Sequence, residues 1–257
     1  MYHEIYREIA RLNAEGQEAA VATVIAVSGS TPREEGAKML VRADGSIMGT
    51  IGGGSIERQV IQEALEVIRS GAPKKLAYRL QAAGELGMIC GGDMEVFLEP
   101  ILIAPHLYIF GGGHVALPLA KMAHITGFKI SVIDERPEFA NPERFPDAAQ
   151  TIAADIAAAF AQLTVDHSSY IVIVTHGHKG DETALAGALK TPARYIGMIG
   201  SKEKNRAVFA HLLAQGYPQE DLDRVHAPIG LRIKAQTPEE IAVSILAELI
   251  QERRSAR

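Results

Sequence analysis

A short apolar run that ends in three consecutive glycines constrains this chain more than any other feature. In Leu107-Tyr-Ile-Phe-Gly-Gly-Gly-His-Val-Ala-Leu-Pro-Leu-Ala120 the order is strand, tight turn and helix start, and the spacing fits the G-x-G-x-x-A fingerprint that opens a Rossmann half-unit. Gly111 permits the sharp turn, Gly113 permits close approach of backbone to a phosphate, and small Ala116 lets the helix pack on the strand. A phosphate would sit on the helix N-terminus, with Gly112 and His114 beside it. A glycine-rich turn can also be purely structural, so context decides. A second apolar run, Lys129-Ile-Ser-Val-Ile-Asp134, ends in an acid about twenty residues on, where dinucleotide folds place the carboxylate that accepts from a ribose hydroxyl. Arg136 suits either a ribose 2′-phosphate or a solvated ion pair with its acidic neighbours. It leaves NAD and NADP both open.

Composition narrows the function classes. The 257 residues are 47% hydrophobic, enough for one large or two medium buried cores, with a mean hydropathy of +0.05. Lys and Arg number 26 against 31 Asp and Glu, a formal charge of -5, so the chain lacks the electrostatic footprint of a nucleic-acid or anionic-membrane binder. Ile5, Ile9 and Leu12 recur at helical spacing between charges, which predicts an amphipathic first helix and not a signal peptide. The single cysteine, Cys90, excludes an internal disulfide and fits a reducing cytoplasm.

Taken in order, 19–27 suits a buried strand, and 38–42 and 46–51 form a hairpin across Ala43-Asp44-Gly45. The helix expected over 56–70 has Ser55 as its N-cap. Strands follow at 76–80 and 94–99. Pro100 and Pro105 bracket a connector, beyond which strands and helices alternate, so the boundary separates an α+β domain over 1–104 from a doubly wound parallel sheet over 105–257. In the second domain, strands are expected at 107–110, 129–133, 150–152, 170–174 and 195–199. Helices are expected at 115–126, 156–163, 182–189, 202–215 and 238–253, the last opened by Thr237-Pro-Glu-Glu240 as N-cap, first-turn proline and acids.

Three further constellations carry chemistry. In Gly49-Thr-Ile-Gly-Gly-Gly-Ser-Ile-Glu57 the backbone N–H groups of Gly52, Gly53 and Gly54 suit an anion nest, or else a tight structural turn. Cys90 is followed by Gly91 and Gly92, which leave the thiol accessible; lone cysteines are commonly inert core residues, yet a thiolate in such a loop suits a soft or high-valent metal. Thr175-His-Gly-His-Lys-Gly-Asp181 places His176, His178 and Asp181 after a strand, for metal binding, acid–base work or plain hydrogen bonding. Gly197-Met-Ile-Gly-Ser-Lys202 brings another glycine turn, with Ser201, to the same edge.

Together these segments resemble the XdhC/CoxI family of xanthine dehydrogenase accessory proteins. The resemblance rests on Ser28-Gly-Ser-Thr-Pro-Arg33, Gly36-Ala-Lys-Met39, Gly49 to Gly54 with Glu57, Cys90-Gly-Gly92, Gly111 to His114, Thr175 to His178 with Asp181, Gly197 to Ser201 and Thr237 to Ser244, in order along nearly the whole chain. It implies a homodimeric factor that binds the molybdenum cofactor (molybdopterin). Such a factor supports sulfuration by a cysteine desulfurase and inserts the cofactor into a xanthine dehydrogenase-type molybdenum hydroxylase. In that reading Cys90 is the candidate molybdenum ligand. One departure is Pro228-Ile-Gly-Leu-Arg-Ile-Lys234, where the family pattern has an acid at position 232 and glycine at 234. The alternative is an NAD(P)-dependent oxidoreductase, with Gly111, Gly113 and Asp134 on the dinucleotide and His176 or His178 as proton donor.

Overall fold

The computed structural model describes residues 2–80, 92–101 and 103–255. Cys90 and Gly91 lie outside them. The chain divides into a unit ending at Ile103 and a second over Ala104–Ser255.

In the first unit, helix α1 (Tyr2–Glu15) precedes strands β1 (Ala19–Gly29), β2 (Lys38–Arg42) and β3 (Ile47–Gly49), helix α2 (Gly54–Ser70), and strands β4 (Lys74–Leu80) and β5 (Gly92–Ile101). The strands pair antiparallel in the order β3-β2-β1-β5-β4. Alternation along β1 explains the layering: Ala20, Ala22 and Val24 pack with Ile56, Val60 and Ala64 of α2, while Ala19 and Val21 join Ile5 and Leu12 of α1. Two expectations need correction here. Strand β3 stops at Gly49, and α2 starts at Gly54 with Gly53 as N-cap and no side-chain cap bond. The glycine run turns the chain into the helix before Ser55, which falls in the first turn and not at the cap.

The second unit contains β6 (His106–Phe110), α3 (Ala116–Ile125), β7 (Lys129–Asp134), β8 (Gln150–Ala153), α4 (Ile156–Ala159) running into a 3-10 turn at Phe160–Gln162, β9 (Tyr170–Ile173), α5 (His178–Ala188), β10 (Tyr195–Met198), α6 (Lys202–Ala214), α7 (Gln219–Asp223), β11 (Val225–His226) and α8 (Pro238–Arg254). All six strands are parallel, in the order β11-β10-β9-β6-β7-β8. The halves wind outward in opposite directions from the β6–β9 pair, the topological switch point of a Rossmann sheet. Leu107 and Ile109 face a core shared with α3 and α8, whereas Tyr108 and Phe110 face one shared with α4, α5 and α6. A strand buried on both faces reads as a continuous apolar run, as Leu107–Phe110 does.

Helix α8 begins as expected, with Thr237 and Glu240 forming a capping box, and packs Ala242, Ile245 and Leu249 against α3. Helix α5 begins four residues earlier than expected, so His178 and Asp181 stand in its first turn and not in a loop.

Near β11, the carboxylate of Glu248 on α8 accepts from Tyr195 Oη at 2.8 Å, from His226 Nδ1 at 3.0 Å, and from the Gly230 amide. The bond to Glu248 raises the His226 pKa despite partial burial. Burial works against ionisation of Glu248 but is outweighed by the bonds from His226, Gly230 and Tyr195, so its pKa is lowered. The signs define a window. The raised histidine contributes stability fully below its ordinary value of 6.5, and loses it as pH rises through the raised value. The lowered carboxyl contributes fully above its ordinary 4.5, and loses it as pH falls. The network is therefore strongest between those two ordinary values. Replacing His226 by Gln should flatten the decline in melting temperature above that window, by up to about 1 kcal/mol for a partly exposed pair. An unchanged alkaline slope would show that another group sets it.

Candidate functional site

The C-terminal ends of β6, β7 and β9 surround a crevice of about 340 Å³, lined by Gly111, Asp134, Arg136, Asp155, Thr175, His176, Lys179 and Thr183 among others. It opens at the switch point, where open α/β sheets bind ligands, and its size lies within the usual range for small molecules. Gly111 makes the turn possible: its φ is +103°, and a Cβ there would stand 2.4 Å from the carbonyl oxygen of Val174, directly after β9.

Asp134 ends β7 as expected, but its acceptor positions are taken by protein donors. Oδ1 accepts from Arg136 N at 3.0 Å and Nε at 2.9 Å, and Oδ2 from Gly112 N at 2.9 Å and Arg136 Nη2 at 3.0 Å. Burial opposes its ionisation, and the Arg136 and Gly112 bonds overcome that and lower its pKa. A ribose hydroxyl would have to displace one of these charge-assisted bonds. The latch is closed from outside. Arg136 lies 3.7 Å over the Phe139 ring, and Arg144 lies over the same ring at 5.3 Å while donating through Nε to the Gly112 carbonyl at 3.0 Å. The Phe139 carbonyl presses on Gly112, where a Cβ would meet it at 2.0 Å. Of the side chains stacked outside Asp134 only Arg136 stood out in the sequence, because Phe139 and Arg144 belong to an irregular segment with no periodic signal.

Gly113 differs from its neighbour, since a Cβ there would meet nothing within 4 Å. Its backbone and exposed His114 border the start of α3.

Asp181 is fully buried. Its Oδ1 accepts from Thr175 N at 3.2 Å and Thr175 Oγ1 at 2.6 Å, and its Oδ2 pairs with the Lys204 ammonium. These bonds join the loop after β9 to α5 and α6, so Asp181 positions the crevice wall, with both of its oxygens bonded to the protein. His176 is exposed on the crevice rim and Ser201 caps α6, accepting from Lys204 N at 3.2 Å. Lys204 carried no motif of its own.

In the first unit, Gly52, Gly53 and Gly54 adopt φ of +137°, +79° and +72° ahead of α2. The Glu57 carboxylate lies against this turn, accepting from Thr50 Oγ1 at 2.8 Å and Ile51 N at 3.3 Å. Part of the nest is thus occupied by the chain itself. Pro32 packs on Gly52, where a Cβ would meet its ring at 2.5 Å, bringing the 28–33 motif to the same turn. Gly92 opens β5 opposite Gly29 and has room for no Cβ, which would fall 2.2 Å from the Ser28 carbonyl oxygen. Two of the sequence motifs therefore meet at one end of the β1–β5 pair.

Residues 107–249 match the family described as the XdhC Rossmann domain, and residues 12–79 match the XdhC and CoxI family. The chain is 38% identical over 255 residues to the uncharacterized protein YqeB of Escherichia coli, covering 98% of this chain but 47% of that protein. It thus spans about half of that relative. It is 25% identical to a probable xanthine dehydrogenase subunit of Bacillus subtilis, covering 93% of this chain and 94% of that one, and 24% identical to the E. coli molybdenum cofactor insertion chaperone PaoD, covering 93% and 84%. A crystal structure of a Bacillus halodurans protein described as a xanthine dehydrogenase aligns with a TM-score of 0.53 at 28% identity, covering 97% of this chain and 95% of that one.

Proposed function

Because the chain belongs to the XdhC and CoxI family, we propose that it carries the molybdenum cofactor to a xanthine dehydrogenase-type molybdenum hydroxylase and inserts it there. The observation that supports this most is the polar crevice at the switch point, which joins a cavity of about 340 Å³ to the Lys179, Thr175 and Thr183 side chains. The Lys179 ammonium suits the phosphate of molybdopterin, and the polar lining suits its pterin, while the Thr175 and Thr183 hydroxyls donate to Asp181 and to the Lys179 carbonyl. The relative named as an insertion chaperone supports the same role. No helix among the described residues is long and apolar enough to cross a membrane, and the proposed work takes place in the cytoplasm.

In this reading Gly52, Gly53, Gly54, Gly113 and His114 supply further backbone and side-chain donors, and Cys90 holds molybdenum through sulfur while a cysteine desulfurase acts on the cofactor. The working form is a homodimer. A nicotinamide-dependent oxidoreductase gains no support, because the carboxylate it needs for ribose is committed to Gly112 and Arg136.

The test is Cys90→Ser, which keeps the size but replaces a polarisable thiolate with a hydroxyl that stays protonated near neutral pH. Molybdenum retained through gel filtration should fall about tenfold or more, activation of apo-hydroxylase should fall with it, and the melting temperature should stay near wild type. If Cys90 is instead a packed residue, the change costs about 1–3 kcal/mol of stability. A destabilised variant that still retains molybdenum and still activates the hydroxylase would end the ligand assignment.

A further inference from the structure

Helix α6 opens on a side chain that the protein leaves unpaired. Asn205 stands at the fourth position of the helix and is only 3% exposed, yet neither its Nδ2 nor its Oδ1 has a hydrogen-bond partner. Among the described residues it is the one with buried side-chain polar atoms in that state. The buried carboxylates of the same unit, Asp134 and Asp181, are fully engaged by protein donors. An enclosed amide without partners costs stability, and folded proteins leave few of them.

Helix geometry aims this amide. A Cα–Cβ bond tilts toward the helix N-terminus, and Oδ1 accordingly lies against Gly200, where a Cβ would stand 2.4 Å from it. The Gly200 Cα–H gives Oδ1 a weak contact, while Nδ2 has no acceptor. Further donors stand at the same helix end. Ser201 satisfies the Lys204 amide at 3.2 Å, but the amides of Lys202 and Glu203 precede the first intrahelical bond, which runs from Asn205 N to the Ser201 carbonyl at 3.0 Å. Charge at this end favours an anion as well. Lys204 is neutralised by Asp181, and exposed Lys202 and Arg206, which form no ion pair among the described residues, outweigh exposed Glu203.

We infer that the turn from Gly200 to Asn205 is a binding site for phosphate or an oxyanion of similar size, held by Asn205 Nδ2 with the Lys202 and Glu203 amides and attracted by the Lys202 ammonium. A helix N-terminus alone is favourable to any anion. Asn205 is what makes a site of this one, because a buried donor without an acceptor is completed by a ligand that brings acceptors. The Gly200 turn covers the amide and shifts when the anion enters, a change that a residue without a Cβ, already at φ +152°, makes at least steric cost. None of these residues lines the switch-point crevice, whose cations are Arg136 and Lys179. The site therefore stands apart from the carrier reading and does not depend on it.

The test follows the backbone amides and the Asn205 side-chain NH2 group of the isotope-labelled full-length protein by nuclear magnetic resonance, during titration with sodium phosphate against sodium chloride at equal ionic strength. Phosphate and not chloride should shift Lys202, Glu203 and Asn205 Nδ2 saturably, and should raise the melting temperature. Asn205→Leu replaces the amide at similar volume. It should weaken phosphate binding about tenfold, the worth of one bond to a charged group, while raising the melting temperature measured without phosphate, since the unpaired amide is gone. Lys202→Gln, on the surface, should weaken binding severalfold and leave the phosphate-free melting temperature in place. Methyl phosphate separates two sources of the anion: binding at least as tight as that of inorganic phosphate assigns the site to the phosphate of a larger ligand, and weaker binding assigns it to the free anion, either of which supports the site. No saturable shift in wild type, shifts that chloride reproduces, or shifts that Asn205→Leu and Lys202→Gln leave unchanged would overturn the inference and leave the amide to an enclosed water.

Discussion

Replacing Asp181 by Ala should lower stability by about 3–5 kcal/mol, the cost of removing one partner from a buried ion pair. The carboxylate is wholly buried, and the Lys204 side chain it pairs with is only 19% exposed. Its loss leaves an ammonium largely out of water without a counter-charge, and strips the Thr175 N–H and hydroxyl of their acceptor. In a unit of this size the melting temperature should fall by about 10 °C. Asp181→Asn keeps the shape and one acceptor while removing the charge, so it should fall between the two. Combining it with Lys204→Met should recover much of the loss, because the uncompensated cation goes too. Zinc added to wild type should leave the melting curve in place, as binding at Asp181 would have to displace its buried pairing with Lys204. An Asp181→Ala protein that melts with wild type would mean that Thr175 and Lys204 find other partners.

The roles of Asp134 and Asp181 show where sequence reading reaches its limit. Both positions were legible: Asp134 follows an apolar run at the expected distance from the glycines, and Asp181 stands three residues after His178. Their partners were not. Gly112 and Arg136 meet Asp134, and Lys204 meets Asp181 from 23 residues away, and no periodic pattern encodes contacts between irregular loops. The doubly wound sheet was readable because strands buried on both faces give continuous apolar runs. Strand β11 was not, since two residues, Val225 and His226, are too few to show a period. Helix α5 began early because Gly177, at φ +92°, turns the chain into the helix directly after the β9 loop, where His-Gly-His had suggested open loop. Lys234 was visible as a departure from the family pattern, and its positive φ supplies the physical reason that glycine suits that position.

The three glycines after β6 should separate folding from binding when each is changed in turn. Gly112→Ala places a methyl 2.0 Å from the Phe139 carbonyl oxygen and 2.8 Å from its carbon. Both are backbone atoms, so no side-chain rotation relieves the clash. The segment carrying Phe139 must move, and with it go the Arg136 stack, the Arg144 bond to the Gly112 carbonyl and the Gly112 donor to Asp134. The cost should be about 3 kcal/mol, at the upper end for overpacking, with a loss of cofactor that follows the loss of fold. Gly113→Ala meets nothing within 4 Å, so its melting temperature should stay within about 2 °C of wild type. Molybdopterin retention by that variant is the informative number. If a phosphate lies against the backbone at the start of α3, the added methyl blocks it and retention should drop about tenfold in a protein that is fully folded. Full retention in a folded Gly113→Ala protein would remove the α3 turn from the binding site and leave the crevice lined by Thr175, Lys179 and Thr183 to hold the cofactor.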